Sequence, residues 1–121
     1  MLTGEHLHFE DIPQPGRFAR LESYRKRYWK QSYFEAVDAI KQVCDAEEIP
    51  MAEAAYRWLV NHSQMDAEKG DSILLGASRI EQMTQNMTAV EKGELPQSIL
   101  DAMDAAWEIV KPDSPAYFKF I

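Results

Sequence analysis

Ser78 and Arg79 stand where an apolar run, Ile73-Leu74-Leu75, meets Gly76 and a helical pattern opens, with Ile80, Met83, Met87 and Val90 on one face. A strand that turns tightly into a helix presents unpaired backbone N–H groups and the positive end of a helix dipole, a combination that suits a phosphate. The Ser78 hydroxyl would add a donor there, and Arg79 a guanidinium fork matched to phosphate oxygens. The same residues also fit a purely structural role. Ser78-Arg79-Ile80-Glu81 is a capping-box pattern, with Ser78 at N-cap and Glu81 at N3. Taken alone, Gln82, Gln85 and Asn86 read as an ordinary solvated face.

Other chemistry-bearing residues offer less. His6-x-His8, flanked by Glu5 and Glu10, invites a metal reading, but no third ligand group follows at useful spacing, so a solvated loop is the expectation. His62 lies on a helical stripe and reads as packed or capping. Cys44 shares an apolar face with Ile40 and reads as core. Met83, Met87 and Met103 fall on core stripes.

The elements that must position these residues are mostly helical. Residues 1–20 carry no period and are punctuated by Pro13, Pro15 and Gly16. The aromatic and basic stretch from Leu21 to Lys30 suggests a short helix. A clearer one runs from about Ser32 to Glu47, with Phe34, Val37, Ile40 and Cys44 at helical spacing. Pro50 begins another, striped by Met51, Ala55, Trp58, Leu59 and His62, and residues 64–71 form a polar loop. The helix after Gly76 should end near Gly93, at C′. Pro96 suits the first turn of a last helix with a wide apolar face of Ile99, Ala102, Met103, Ala106, Trp107 and Val110; Pro112 and Pro115 stop it. One strand beside these helices is an imbalance, because a lone strand cannot satisfy its own backbone groups. The chain reads as part of something larger.

Composition narrows the function classes. The 121 residues are 45% hydrophobic and 11% aromatic, which is globular, and one cysteine excludes an internal disulfide. A formal net charge of −7 speaks against a nucleic-acid partner, which needs a basic face. No apolar stretch approaches membrane-spanning length, so the expectation is a cytoplasmic domain with neither nucleic-acid nor membrane partner.

At this point several ordered segments carry a likeness. SILLGASRIEQMTQN, preceded by AEAAYRWLVNHS and followed by VEKGELPQSILDAMDAAWEIV, resembles the C-terminal part of an aldo-keto reductase, of the aflatoxin-aldehyde-reductase-like branch and its fungal relatives. Leu2-Thr3-Gly4 resembles the LTG that follows the seventh barrel strand, and Pro15-Gly16-Arg17-Phe18 a PxGRF segment in the next loop. Tyr28-Trp29 resembles an RYW-type stretch, and Pro115-Ala116-Tyr117-Phe118 the family's closing tail. The likeness covers nearly the whole chain.

The resemblance implies an α/β chain that is the C-terminal fragment of a (β/α)8 TIM barrel, a fold of roughly 250 residues. Residues 1–121 would be a partial aldo-keto reductase domain: the loop after strand seven, crossover helices, strand eight at Ser72–Gly76 and the C-terminal helices. It implies NADPH as cofactor. Gly76 would give the close turn, Ser78 and Arg79 would contact the adenosine 2′-phosphate, and Gln82, Gln85 and Asn86 would line the adenine side. Leu2-Thr3-Gly4 would lie near the pyrophosphate, where Glu5 replaces a basic residue common in relatives. Arg17, Phe18 and Tyr117 are the candidate substrate-binding residues, and Tyr117, Phe118 and Lys119 would cover the active-site mouth. The family's Asp, Tyr, Lys and His tetrad, which protonates the carbonyl oxygen, would come from earlier elements. No catalytic residue is therefore expected here, and the isolated chain should be inactive. Its partners would be a carbonyl substrate, once the barrel is completed, and a second copy or a complementing chain. The alternative is a small acidic helical protein-interaction module.

Overall fold

Helical spacing becomes buried surface first in the longest helix. The computed structural model describes residues 1–11 and 15–116. Two short helices, α1 (Arg17–Arg20) and α2 (Glu22–Tyr28), precede α3 (Gln31–Ala46), which buries Phe34, Ala36, Val37, Ile40 and Cys44. Its end is a Schellman closure: the Ile49 N–H donates to the Cys44 carbonyl at 3.0 Å and the Glu48 N–H to the Asp45 carbonyl at 3.2 Å. Glu48 takes the left-handed conformation that glycine usually fills, at φ 54°. Ile49 is thereby turned back onto the core.

Proline starts two of the remaining helices. Pro50 caps α4 (Met51–Asn61) and Pro96 caps α6 (Gln97–Val110), where a missing N–H costs no helix bond. Between them lie a short 3₁₀ turn, Ala67–Lys69, and α5 (Ile80–Val90); a second 3₁₀ turn, Lys111–Asp113, follows α6. The α3 helix packs along α6, and α4 packs against α5. Their shared core joins Val37, Ile40 and Cys44 to Met51, Ala54, Leu95, Ile99 and Ala106. Burial pushes the Cys44 thiol up from its usual range, as expected of an inert core residue.

Two expectations need correcting. Among the described residues no strand forms: residues 71–77 carry no regular structure and no ladder partner, and strand structure is defined by pairing. The predicted C′ glycine, Gly93, does have a positive φ of 79°, but α5 ends at Val90 with Glu91 as its C-cap, so Gly93 falls one position later.

An ionic knot ties α4 to the turn before α6. Arg57 donates Nε to the Gly93 carbonyl at 2.9 Å and a second nitrogen to the Glu94 carbonyl, while Nη1 meets Glu53 at 3.1 Å. Lys92 closes the knot on the other Glu53 oxygen at 2.6 Å. The side chains of Arg57 and Glu53 are only 11% and 12% exposed, so this is no ordinary surface pair. Removing one partner strands the other in a poorly solvated site. Arg57→Ala is expected to lower the unfolding free energy by about 2–3 kcal/mol, read from urea unfolding followed by circular dichroism.

At the amino-terminal end the basic-aromatic stretch becomes a cluster of edge-on rings. Trp29 sits between His6, Phe18 and Phe34 at centroid distances of 5.3, 5.2 and 4.9 Å, and its indole N–H donates to the Phe9 carbonyl at 3.0 Å. The irregular residues before α1 are held to α3 this way. His6 spends its ring faces on aromatic packing.

Candidate functional site

The head of α5 is built differently from the capping-box expectation. The helix begins at Ile80, one residue late, with Arg79 at N-cap and no side-chain cap. Ser78 lies outside the helix, and its N–H (3.3 Å) and hydroxyl (3.0 Å) both donate to Gln82 Oε1. Gln82 therefore reaches back over the first turn and takes the place that Ser78 and Glu81 were expected to share. The physical reason is reach: from N3 the longer amide spans the extra residue, whereas Ser78 sits too far ahead to accept from the helix. Ser78→Ala should then cost less than about 0.5 kcal/mol of stability, against about 1 kcal/mol for loss of a true N-cap. Thermal unfolding of the variant checks this.

Without a side-chain cap, the first-turn N–H groups of α5 stay available to a ligand. An open cleft lies beside them, lined by Arg17, Gly76, Ala77, Ser78 and Gln82. Four of these come from the turn and first helical turn at the head of α5, and Arg17 arrives from α1, far away in sequence. Its guanidinium lies 5.8 Å from the Tyr24 ring centroid, and Nη1 donates to the Tyr24 hydroxyl at 3.4 Å. Arg79, next to Ser78 in the chain, is exposed, is not part of the cleft wall, and makes no ion pair or side-chain hydrogen bond among the described residues. Glu81, in the first turn, is the one acidic group there and works against an anion.

The other predicted residues divide. Asn86 is half-buried and donates to the Gly76 carbonyl at 3.3 Å, fixing the turn to the second turn of α5. Gln85 is exposed on the same helix. Gly76 has no positive φ, so the turn does not itself demand glycine. A Cβ there would meet no atom within 4 Å, leaving its backbone open to the cleft. Phe18 is half-buried in the aromatic cluster, against His6, Tyr24 and Trp29, and does not line the cleft. The Leu2-Thr3-Gly4 turn packs toward Met51 and is likewise off the cleft wall. Tyr117, Phe118 and Lys119 lie outside the described residues.

Sequence reading missed two arrangements. Arg17 belongs with the Ser78 junction, which no local pattern could show. Lys30, Ser32 and Asp113 form a clamp between the start of α3 and the 3₁₀ turn after α6: Lys30 Nζ reaches the Asp113 carbonyl and Ser32 Oγ its carboxylate, both at 2.6 Å. Tyr33 stands next to it, its phenol pushed up chiefly by burial. A raised phenol is poorly suited to proton transfer near neutrality, so the clamp reads as structural. Among the described residues no polar or charged residue is fully buried.

An uncapped helix start beside an open cleft is a place where a phosphate can be bound. The chain itself belongs to the aldo/keto reductase family, whose model matches residues 4–108. It is 38% identical over 128 residues to aflatoxin B1 aldehyde reductase member 2 from Rattus norvegicus, covering 98% of this chain and 35% of that protein. Homo sapiens aldo-keto reductase family 7 member A3 is also 38% identical, over 98% of this chain and 39% of its own length. An aldo-keto reductase of the fungus Pseudocercospora fijiensis shares 38% identity over 78% of this chain and 32% of its own length. The chain thus spans about a third of the length of these relatives. No helix among the described residues is long and apolar enough to cross a membrane.

Proposed function

We propose that this chain supplies the adenosine 2′-phosphate end of an NADPH site within an aldo-keto reductase barrel, and that alone it reduces no carbonyl compound. The observation that carries the reading is the convergence of Gly76, Ser78 and Gln82 on one cleft at the uncapped head of α5, with Arg79 next along the chain, exposed and without an ion pair. The residues fit a phosphate through free helix N–H groups, a guanidinium and an open backbone at Gly76, while the Ser78 N–H and hydroxyl, donated to Gln82 Oε1, would have to exchange that acceptor for the phosphate, and Glu81 opposes an anion. Ser78 and Arg79 would grip the 2′-phosphate, and Gln82, Gln85 and Asn86 would line the adenine side. Arg17, Phe18 and Tyr117 would serve the substrate side, and the position of Arg17 lets it act on either ligand. When bound, NADPH supplies the hydride for carbonyl reduction. The relatives' names point to an aldehyde as substrate. The proton donor and its tetrad would come from strands that this chain does not contain, and the enzyme would work in the cytoplasm.

Cofactor fluorescence and an aldehyde-reduction assay test both halves. The expected result is a saturable response to NADPH, a much weaker one to NADH, and no turnover by the isolated chain. Equal responses to the two nucleotides would overturn the phosphate reading. Turnover would overturn the claim of inactivity.

A further inference from the structure

Arg17 reaches the cleft from a helix that cannot place it alone. The four residues of α1 bury nothing and carry no side-chain cap, so the turn keeps its shape only through contacts outside itself. Those contacts are aromatic. Phe18 lies 5.2 Å from Trp29, which lies 4.9 Å from the buried ring of Phe34 on α3. Tyr24, on α2, stands 6.4 Å from Phe18 and 5.9 Å from Tyr28, and Tyr28 is 5.9 Å from Tyr33 in the first turn of α3. Edge-on contacts on two sides thus fix the Tyr24 ring to the core. Its remaining tie is to Arg17, whose Nη1 donates to the Tyr24 hydroxyl at 3.4 Å and whose guanidinium carbon stands 5.8 Å over the ring. Tyr24 itself does not line the cleft.

We propose that Tyr24 is a positioning residue, which holds the Arg17 guanidinium at the cleft ready for a phosphate. The inference rests on the reading of that cleft as the 2′-phosphate site. A carboxylate in the place of Tyr24 would orient the guanidinium but cancel its charge. An uncharged hydroxyl orients it and leaves the charge for an anion, and Arg17 makes no ion pair among the described residues. Only Nη1 is engaged, so the other donors of the fork stay free for phosphate oxygens. Fixing a side chain with so many rotors in advance also removes an ordering cost from binding.

Isothermal titration with adenosine 2′,5′-bisphosphate, joined to nuclear magnetic resonance of the Arg17 side chain, tests this. Tyr24→Phe keeps the ring and its packing but drops the hydroxyl, and should weaken binding about two- to threefold. Tyr24→Leu drops both and should weaken it about five- to tenfold, close to the loss from Arg17→Ala. In the Arg17→Ala background, Tyr24→Leu should change nothing, because the group it positions is gone. In the free chain the Arg17 guanidinium N–H resonance should be displaced upfield by the ring, stay displaced in Tyr24→Phe and relax to the position of an exposed arginine in Tyr24→Leu. Equal losses from Tyr24→Leu with and without Arg17 would overturn the proposal. A displaced resonance in a chain that binds no bisphosphate would overturn the cofactor reading and support the hold of Tyr24 on Arg17. Bisphosphate binding by a native chain whose Arg17 resonance is undisplaced would do the reverse.

Discussion

Arg79→Ala weakens binding of adenosine 2′,5′-bisphosphate by about ten- to a hundredfold and leaves adenosine 5′-monophosphate binding unchanged; this is the expected result of isothermal titration at low salt. The size follows from a charge-assisted hydrogen bond, which contributes about 1.5–3 kcal/mol when donor and acceptor are both ionised. The direction follows from position. Arg79 is exposed at the N-cap of α5, with no acidic partner among the described residues to compete for it. Because the site is open, added salt should erode the affinity of the native chain more than that of the variant. Arg79→Lys should recover only part of the loss, since an ammonium keeps the charge but not the fork. Arg17 sets the control. Lining the same cleft, it should contribute to phosphate affinity too if its guanidinium reaches the nucleotide, and Arg17→Ala separates the two contributions.

The largest stability effect is expected at Ile99, which is completely buried between α6 and α3. Ile99→Ala removes three buried carbons and leaves a space that Val37, Ile40 and Cys44 cannot close, because helix-to-helix spacing is already set by the rest of the interface. A loss of about 3–4 kcal/mol is expected from urea unfolding, whereas Ile99→Val should cost about 1 kcal/mol. For a small domain the larger loss is a substantial share of total stability. Loss of near-ultraviolet dichroism with retained helix signal would be the signature of a loosened core.

What the sequence revealed, and what it hid, follows from the range of the forces involved. Local rules worked where they act alone. Pro50 and Pro96 marked helix starts, Cys44 was read as core, and His62 as packed or capping; its Nε2 accepts the Leu95 N–H at 2.9 Å. Local rules failed where a side chain had a choice of partner. Ser78 could have capped α5, but Gln82 competes for it from four residues on. The strand at Ile73–Leu75 was legible as a pattern of apolar residues, yet a strand exists only by pairing, and pairing is non-local. The Arg57 knot was visible in part, since Glu53 and Arg57 stand at i, i+4 spacing. Its carbonyl partners at Gly93 and Glu94 were not. Arg17 was hardest of all: its place at the cleft depends on how α1 lies against a segment some sixty residues away, which no periodicity encodes.

The central claim is that the head of α5 recognises a 2′-phosphate. Titrating isotopically labelled chain with adenosine 2′,5′-bisphosphate, and separately with adenosine 5′-monophosphate, tests it most directly by nuclear magnetic resonance. The account predicts that the bisphosphate shifts the amides of Gly76, Ser78, Arg79 and Gln82 together, with one saturation curve, and that the monophosphate barely moves them. Equal shifts from both nucleotides, or shifts confined to some other face of the chain, would contradict it.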